Sequence, residues 1–335
     1  RKPRHDFRMI REMRDFLQWR AGDGVLLAEA NILPGQDMDY FGHDGDRSHM
    51  LFNFFVNQNL FYAFASADVR PLTAALRRTR KHPQSGQWAN FLRDNDELDL
   101  ARLEDEQRQT VFREMGPDQS MQLYGRGIRR RLAPMLHNDR RRLELSYSVM
   151  FALPGTPVIR YGDEIGMGDD LRLEERQAIR TPMQWSTEPH GGFSKSKKTI
   201  LPVIEEGPWS YRIVNAAVQR RDPDSLLNWT ERIIRMRKEC PEIGWGDFRV
   251  LDTGHKRVLG IRYEWRNNAV VVLHNLADEP IEAAVRVEED NLVNLFSEAH
   301  SERRGTAAHK IALEPYGYRW FRAGGLDYLL KRRDY

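Results

Sequence analysis

Two carboxylates end apolar, strand-like runs in this chain. Glu29 closes Val25-Leu26-Leu27-Ala28, and Asp96 sits in the cluster Asp94-Asn95-Asp96-Glu97 that follows Gln87-Trp88-Ala89-Asn90-Phe91-Leu92-Arg93. A pair of acids projecting from one sheet edge suits glycoside chemistry. One protonates the departing glycosidic oxygen and then, as a base, activates the acceptor; the other meets the positive charge that develops at the anomeric carbon. Charged residues form 30% of the sequence, so the competing explanation is ordinary: an acid after a strand also serves as a helix cap or loop residue. Pattern alone nominates these two side chains without assigning them.

The elements that must position them are read from period and punctuation. Val25 to Ala28 is too short and too uniformly apolar for an amphipathic helix, and Gly22 and Gly24 mark its entry, which fits a buried parallel strand. Gln87 to Arg93 reads as a second strand, and Pro157 to Tyr161 as a third, running into Gly162-Asp163-Glu164. Between them, Leu143, Tyr147 and Met150 recur at helical spacing within Arg140 to Leu153. Strands alternating with helices imply a parallel sheet or barrel. In such barrels the carboxyl ends of the strands carry the chemistry.

Longer motifs add a resemblance. Leu26-Leu27-Ala28-Glu29-Ala30-Asn31, then Phe91-Leu92-Arg93-Asp94-Asn95-Asp96-Glu97-Leu98, then the run from Pro154 through Tyr161-Gly162-Asp163-Glu164-Ile165-Gly166 to Met167 resemble the α-amylase family of glycoside hydrolases, family 13. Arg180-Thr181-Pro182-Met183-Gln184-Trp185-Ser186 and Asp222-Pro223-Asp224-Ser225-Leu226-Leu227-Asn228-Trp229-Thr230 narrow it to the trehalose synthase branch and its α-glucosidase relatives. The resemblance implies the carboxyl-terminal half of a (β/α)8 TIM barrel followed by a small antiparallel β domain. It implies Glu29 as general acid/base and Asp96 as transition-state stabiliser, with Asp94, Asn95, Arg180 and Trp185 as substrate-binding candidates. The implied reaction is retaining α-glucosyl transfer, isomerisation or hydrolysis of α-glucosides such as maltose and trehalose. Relatives often bind calcium through ligands upstream of the matched stretch, so no cofactor is assigned.

Two departures stand out. In the family a nucleophilic aspartate ends the fourth strand, in a Gly-x-Arg-x-Asp-like motif, whereas here Arg1 to Gly24 holds only a helix-like segment with Asp6, Met9, Met13, Phe16 and Leu17. The chain therefore reads as the downstream portion of a longer enzyme, inactive by itself. The stabiliser motif of most relatives is Asn-His-Asp; this chain has Asp94-Asn95-Asp96, and an amide cannot carry positive charge as an imidazole does. A non-catalytic carbohydrate-binding or regulatory protein on a degenerate barrel would account for both departures. The retained Glu29 and Asp96 argue against it.

The expected division is a partial barrel over 1–240, entered at the helix before its fifth strand, a β-sandwich over 241–323, and a charged, frayed tail over 324–335. Pro223 to Glu239 reads as a helix that closes the first part. Short alternating runs at Arg249-Leu251, Val258-Tyr263, Ala269-Leu273, Ile281-Val287 and Tyr318-Phe321 build the second. Residues 168–209 lack periodicity and read as a long loop over the catalytic face, where Trp185, Phe193 and Trp209 either stack on sugar rings or hold the loop down. The arginine runs 129–131 and 140–142 raise nucleic-acid binding. A formal net charge of only +3 with interleaved acids points instead to solvated arginines flanking helices. Alternating His and Asp over His43 to His49 match no strong zinc or calcium spacing. No apolar run is long enough to span a bilayer, and the single Cys240 excludes an internal disulfide and favours a cytoplasmic protein. The expected partner is a small α-glucoside, with no nucleic acid or membrane; oligomeric state is left open.

Overall fold

The computed structural model describes residues 6–298, 300–303 and 308–324. The chain enters through helix α1 (Arg8–Arg20) and reaches β1 (Leu27–Ala28), then passes α2 (Asp37–Phe41) to β2 (Met50–Phe52). Helices α3 (Phe54–Ser66) and α4 (Arg70–Arg78) lead back to β3 (Gln87–Phe91). A small antiparallel excursion of β4 (Leu98–Asp99), β5 (Gln122–Leu123) and β6 (Gly127–Ile128), with α5 (Asp105–Met115) inserted, precedes α6 (Leu132–Met135), α7 (Arg140–Ala152) and β7 (Thr156–Val158). Strands β1, β2, β3 and β7 pair in that order, all parallel. Their carboxyl ends thus lie along one edge, and Glu29 and the Asp94–Asp96 cluster both follow such ends.

Local chemistry explains the elements. Asn53 caps α3 by accepting from Val56 N, and Asp139 caps α7 by accepting from Arg141 N and Arg142 N, which satisfies amides that a helix start leaves open. Glu104 and Gln107 form a reciprocal capping box on α5. Gly155 has φ +125°, and a Cβ there would meet Trp88 O at 2.4 Å; only glycine lets the chain pass that close as it enters β7. The third expected strand is shorter than its sequence suggests. Ile159 to Tyr161 leave the sheet, because Arg160 turns inward to donate to Asn95 Oδ1 at 3.0 Å and to Ile179 O.

The sequence after α8 (Ala216–Arg221), α9 (Leu226–Lys238) and α10 (Glu242–Trp245) becomes antiparallel: β8 (Asp247–Val250), β9 (Val258–Trp265), β10 (Asn268–Asn275), β11 (Ile281–Val285), β12 (Asn291–Asn294), β13 (Ser301–Glu302), β14 (His309–Leu313) and β15 (Tyr318–Ala323). Six of these pair in the order β13-β12-β15-β10-β9-β8, and β11 pairs with β14. Strand alternation divides their side chains between two cores. Val271 and Leu273 face Ile281, Ala283, Ile311 and Leu313, whereas Val270, Val272 and Trp320 join the core built by α3, α4, α5, α7 and α9. Pro223 and Asp224 lie outside the helix expected there; Ser225 caps it by accepting from Asn228 N. The expected tail falls almost wholly outside the described residues.

The expectation of solvated arginines fails at Arg131, whose side chain is fully buried and pairs with Asp163 at 3.3 Å. Arg129 donates to the carbonyls of Leu171 and Leu173, and Arg130 pairs with Asp169 at 3.1 Å. This run ties the long loop to the barrel instead of facing water.

Candidate active site

Glu29 follows β1 directly, and Asn31, two residues on, is fixed by donating to Asp99 Oδ2 at 2.7 Å. Arg102 donates to Asn31 O at 2.8 Å. The loop that carries Glu29 is thus tied to the segment beyond the acidic cluster. The Glu29 carboxyl has a pKa raised first by partial loss of solvent, then by the charges of Asp94 and Asp96, with Arg176 opposing. Three acids from two strand ends therefore share one field, which holds a proton on Glu29 to higher pH than an isolated glutamate.

Asp96 is held from both sides. Arg180 donates to its Oδ1 at 2.7 Å, and Arg176 pairs with its Oδ2 at 2.9 Å. Arg176 also donates through Nε to Glu97 Oε2 at 2.6 Å, and Arg180 to Asn95 O at 2.7 Å. Beneath them the fully buried Arg93 donates to Asp96 O at 2.8 Å and to Arg130 O at 3.0 Å, fixing the backbone of the turn. Asp94 accepts from Asp96 N at 3.0 Å. Its carboxyl pKa is raised, mainly by burial, against the pull of Arg93. Asn95 is exposed, yet its amide oxygen is engaged by Arg160. A histidine at that position would meet a guanidinium donor.

The structure brings together Glu29, Asp94, Asn95, Asp96 and Arg180 from the sequence-derived set. Trp185 is 52% exposed and, with Arg180, Tyr161, Met183 and Phe193, lines an adjoining open cleft of about 660 Å³. Trp209 instead packs inward, with Gly168 leaving room for its ring. Sequence reasoning missed Arg176, Arg160 and Arg93. Arg93 stands inside the quoted motif, but nothing in the spacing marks Arg176 or Arg160 as partners of a turn 65 to 80 residues away.

Among the described residues no group of three or more His, Cys, Asp or Glu side chains is placed to hold a metal ion. His49 uses Nδ1 to accept from Leu26 N at 3.0 Å, a structural task beside β1. No helix among the described residues is long and apolar enough to cross a membrane. Chemically, the cluster offers a carboxyl whose pKa is raised beside a carboxylate clamped by two guanidinium groups. That division of labour is what protonation of a leaving oxygen and stabilisation of an oxocarbenium-like state require.

Comparison with known proteins bears on the family and the fold. The profile of the α-amylase catalytic domain matches residues 2–246, and that of the sucrose hydrolase-like C-terminal domain matches residues 268–322. Trehalose synthase of Thermus thermophilus is 39% identical over 284 residues, 82% of this chain and 29% of that protein. Trehalose synthase of Pimelobacter sp. is 35% identical over 331 residues, 94% of this chain and 58% of that protein. The chain thus spans well under two thirds of either relative. The α-amylase structure from H. orenii superposes with a TM-score of 0.69 over 95% of this chain and 57% of that one, at 18% identity. The fold is therefore that of a partial β/α barrel followed by an antiparallel β domain.

Proposed function

Because the chain belongs to the α-amylase family of glycoside hydrolases, we propose that it carries the acid/base and the stabilising carboxylate of a retaining enzyme acting on small α-glucosides such as maltose or trehalose. The supporting observation is the unequal treatment of two neighbouring acids. The proton affinity of Glu29 is raised by desolvation and by Asp94 and Asp96, while Asp96 lies between Arg176 and Arg180. Glu29 protonates the glycosidic oxygen as the bond breaks and later takes a proton from the acceptor. Asp96 meets the charge on the ring and binds its hydroxyls, with Asp94, Asn95 and Arg180 at the rim. Trp185 and the adjoining cleft take the leaving or accepting sugar. A double displacement also needs a nucleophilic carboxylate about 5–5.5 Å from the acid/base, and no described residue is assigned that role.

The acceptor decides the outcome. If released glucose is retained and attacks again through a different hydroxyl, the product is an isomer; if water enters, it is hydrolysis. The single Cys240 fits a reducing, cytoplasmic setting. The second reading, a non-catalytic carbohydrate-binding or regulatory protein, is favoured by one observation: Arg160 occupies the hydrogen-bonding position of Asn95 with a cation. Incubating the full-length protein with maltose or trehalose and following products by NMR separates the two. Interconversion or glucose release that disappears in Asp96→Asn supports the catalytic reading, and saturable binding with no turnover supports the other.

A further inference from the structure

A second concave site lies away from the carboxylate cluster, where α7 and α9 meet the edge of β15. It is an open cavity of about 440 Å³, within the roughly 300–1,000 Å³ range of small-ligand sites. Its aromatic side is packed ring against ring. The Phe296 ring stands edge-on to Tyr318 at 5.9 Å and to Trp320 at 5.8 Å, and it remains 37% exposed. Trp229 donates from Nε1 to the Tyr318 hydroxyl at 2.9 Å. That hydroxyl has therefore accepted a bond and keeps its own proton to donate.

The polar side is as specific. Glu144 gives one oxygen to Arg140 at 2.6 Å, and Arg232 gives one nitrogen to Pro223 O at 2.8 Å. Asp224, exposed at the rim, has no side-chain partner among the described residues. Two acids and two guanidinium groups balance, so the cavity has no charge with which to select an ion. It offers a ring face for C–H groups, carboxylate acceptors, and guanidinium and phenol donors for hydroxyls. By contrast, the cavity lined by Arg70, Arg77, His255 and Lys256 is basic and has no aromatic wall.

We propose that the Phe296–Tyr318–Asp224 cavity binds a neutral gluco-oligosaccharide, as a site separate from the Glu29–Asp96 cluster. Its place between the helical layer and the antiparallel sheet would hold a longer saccharide against the protein without engaging the catalytic acids. The test is calorimetric titration of maltotriose into the full-length protein carrying Asp96→Asn, so that the catalytic site is altered and binding is read without turnover. Binding is expected to persist in this background and to weaken about tenfold on Phe296→Ala, the loss of one stacked face. Asp224→Asn, at an exposed position without a protein partner, should weaken binding while leaving the melting temperature unchanged. No maltotriose binding in the Asp96→Asn background, or binding indifferent to Asp224→Asn in a folded protein, would overturn the proposal. Neither result bears on turnover by the unmodified protein, so the catalytic reading stands or falls separately.

Discussion

His274 should make the joint between the helical layer and the antiparallel sheet acid-sensitive. It lies on β10 with no exposed surface, its Nε2 3.0 Å from Ser148 Oγ on α7, and Trp320 of β15 donates to the same Oγ at 2.9 Å. Ser148 Oγ thus bridges the indole and the imidazole, and the buried Nδ1 has no hydrogen-bond partner among the described residues. Burial pushes the imidazole pKa down to about 3. In the unfolded chain it titrates near 6.5, so between these values the unfolded state takes up a proton that the folded state refuses. Stability therefore falls as pH drops from about 6.5 toward 3. The slope approaches about 1.4 kcal/mol per pH unit, or roughly 2–3 kcal/mol between pH 6.5 and 4.5. That is a large part of a typical total of about 5–15 kcal/mol. Urea denaturation at both pH values, compared with His274→Gln, isolates the contribution because other titrating groups are common to both proteins. Glutamine keeps an acceptor for Ser148. If both proteins lose stability equally on acidification, the buried neutral imidazole is refuted.

Other perturbations reach the site itself. Asp94→Asn removes one of the charges that raise the Glu29 pKa, so the alkaline limb of the kcat/KM profile, which reports the protonated acid, should move to lower pH; an unmoved limb would dissociate Asp94 from Glu29. Arg180→Met removes donors at 2.7 Å to both Asp96 Oδ1 and Asn95 O. At about 1.5–3 kcal/mol for a hydrogen bond to a charged group, kcat/KM should fall about 10- to 100-fold, with little change in melting temperature because the pair is partly solvated. Arg322→Met strips the guanidinium from Glu242, whose side chain is fully buried with Oε2 already unpartnered. Denaturant titration should show a loss of about 3–5 kcal/mol.

The alternation of strands with helices was legible from short apolar runs such as Val25–Ala28 and from α7, which repeats its apolar residues at helical spacing. Only Leu27–Ala28 pairs in that first run, however, and Val25 and Leu27 stay exposed, so the expectation of a buried strand fails at that sheet edge. The antiparallel sheet was legible for a similar reason: Ile281–Val285 alternates buried and exposed residues. The strand ends carrying Glu29 and Asp96 followed from the same pattern. Arg180 was named from its motif, but its pairing with Asp96, and the roles of Arg176 and Arg160, were hidden from sequence. Arg176, Arg180 and Arg160 reach the Asn95–Asp96 turn from a loop and a strand end far along the chain, and long-range ion pairs leave no period to read. The burial of Arg131 was hidden for the same reason, since three consecutive arginines look alike until Asp163 and Asp169 are placed beside them.

The central claim, that Glu29 is the proton donor to the leaving oxygen, is tested most directly by comparing maltose with α-glucosyl fluoride in the full-length protein and its Glu29→Gln variant. Fluoride leaves without protonation, so the variant should lose maltose turnover by about 10²- to 10⁴-fold yet keep a rapid first burst of fluoride release. Equal losses on both substrates, or no loss on maltose, would contradict the assignment.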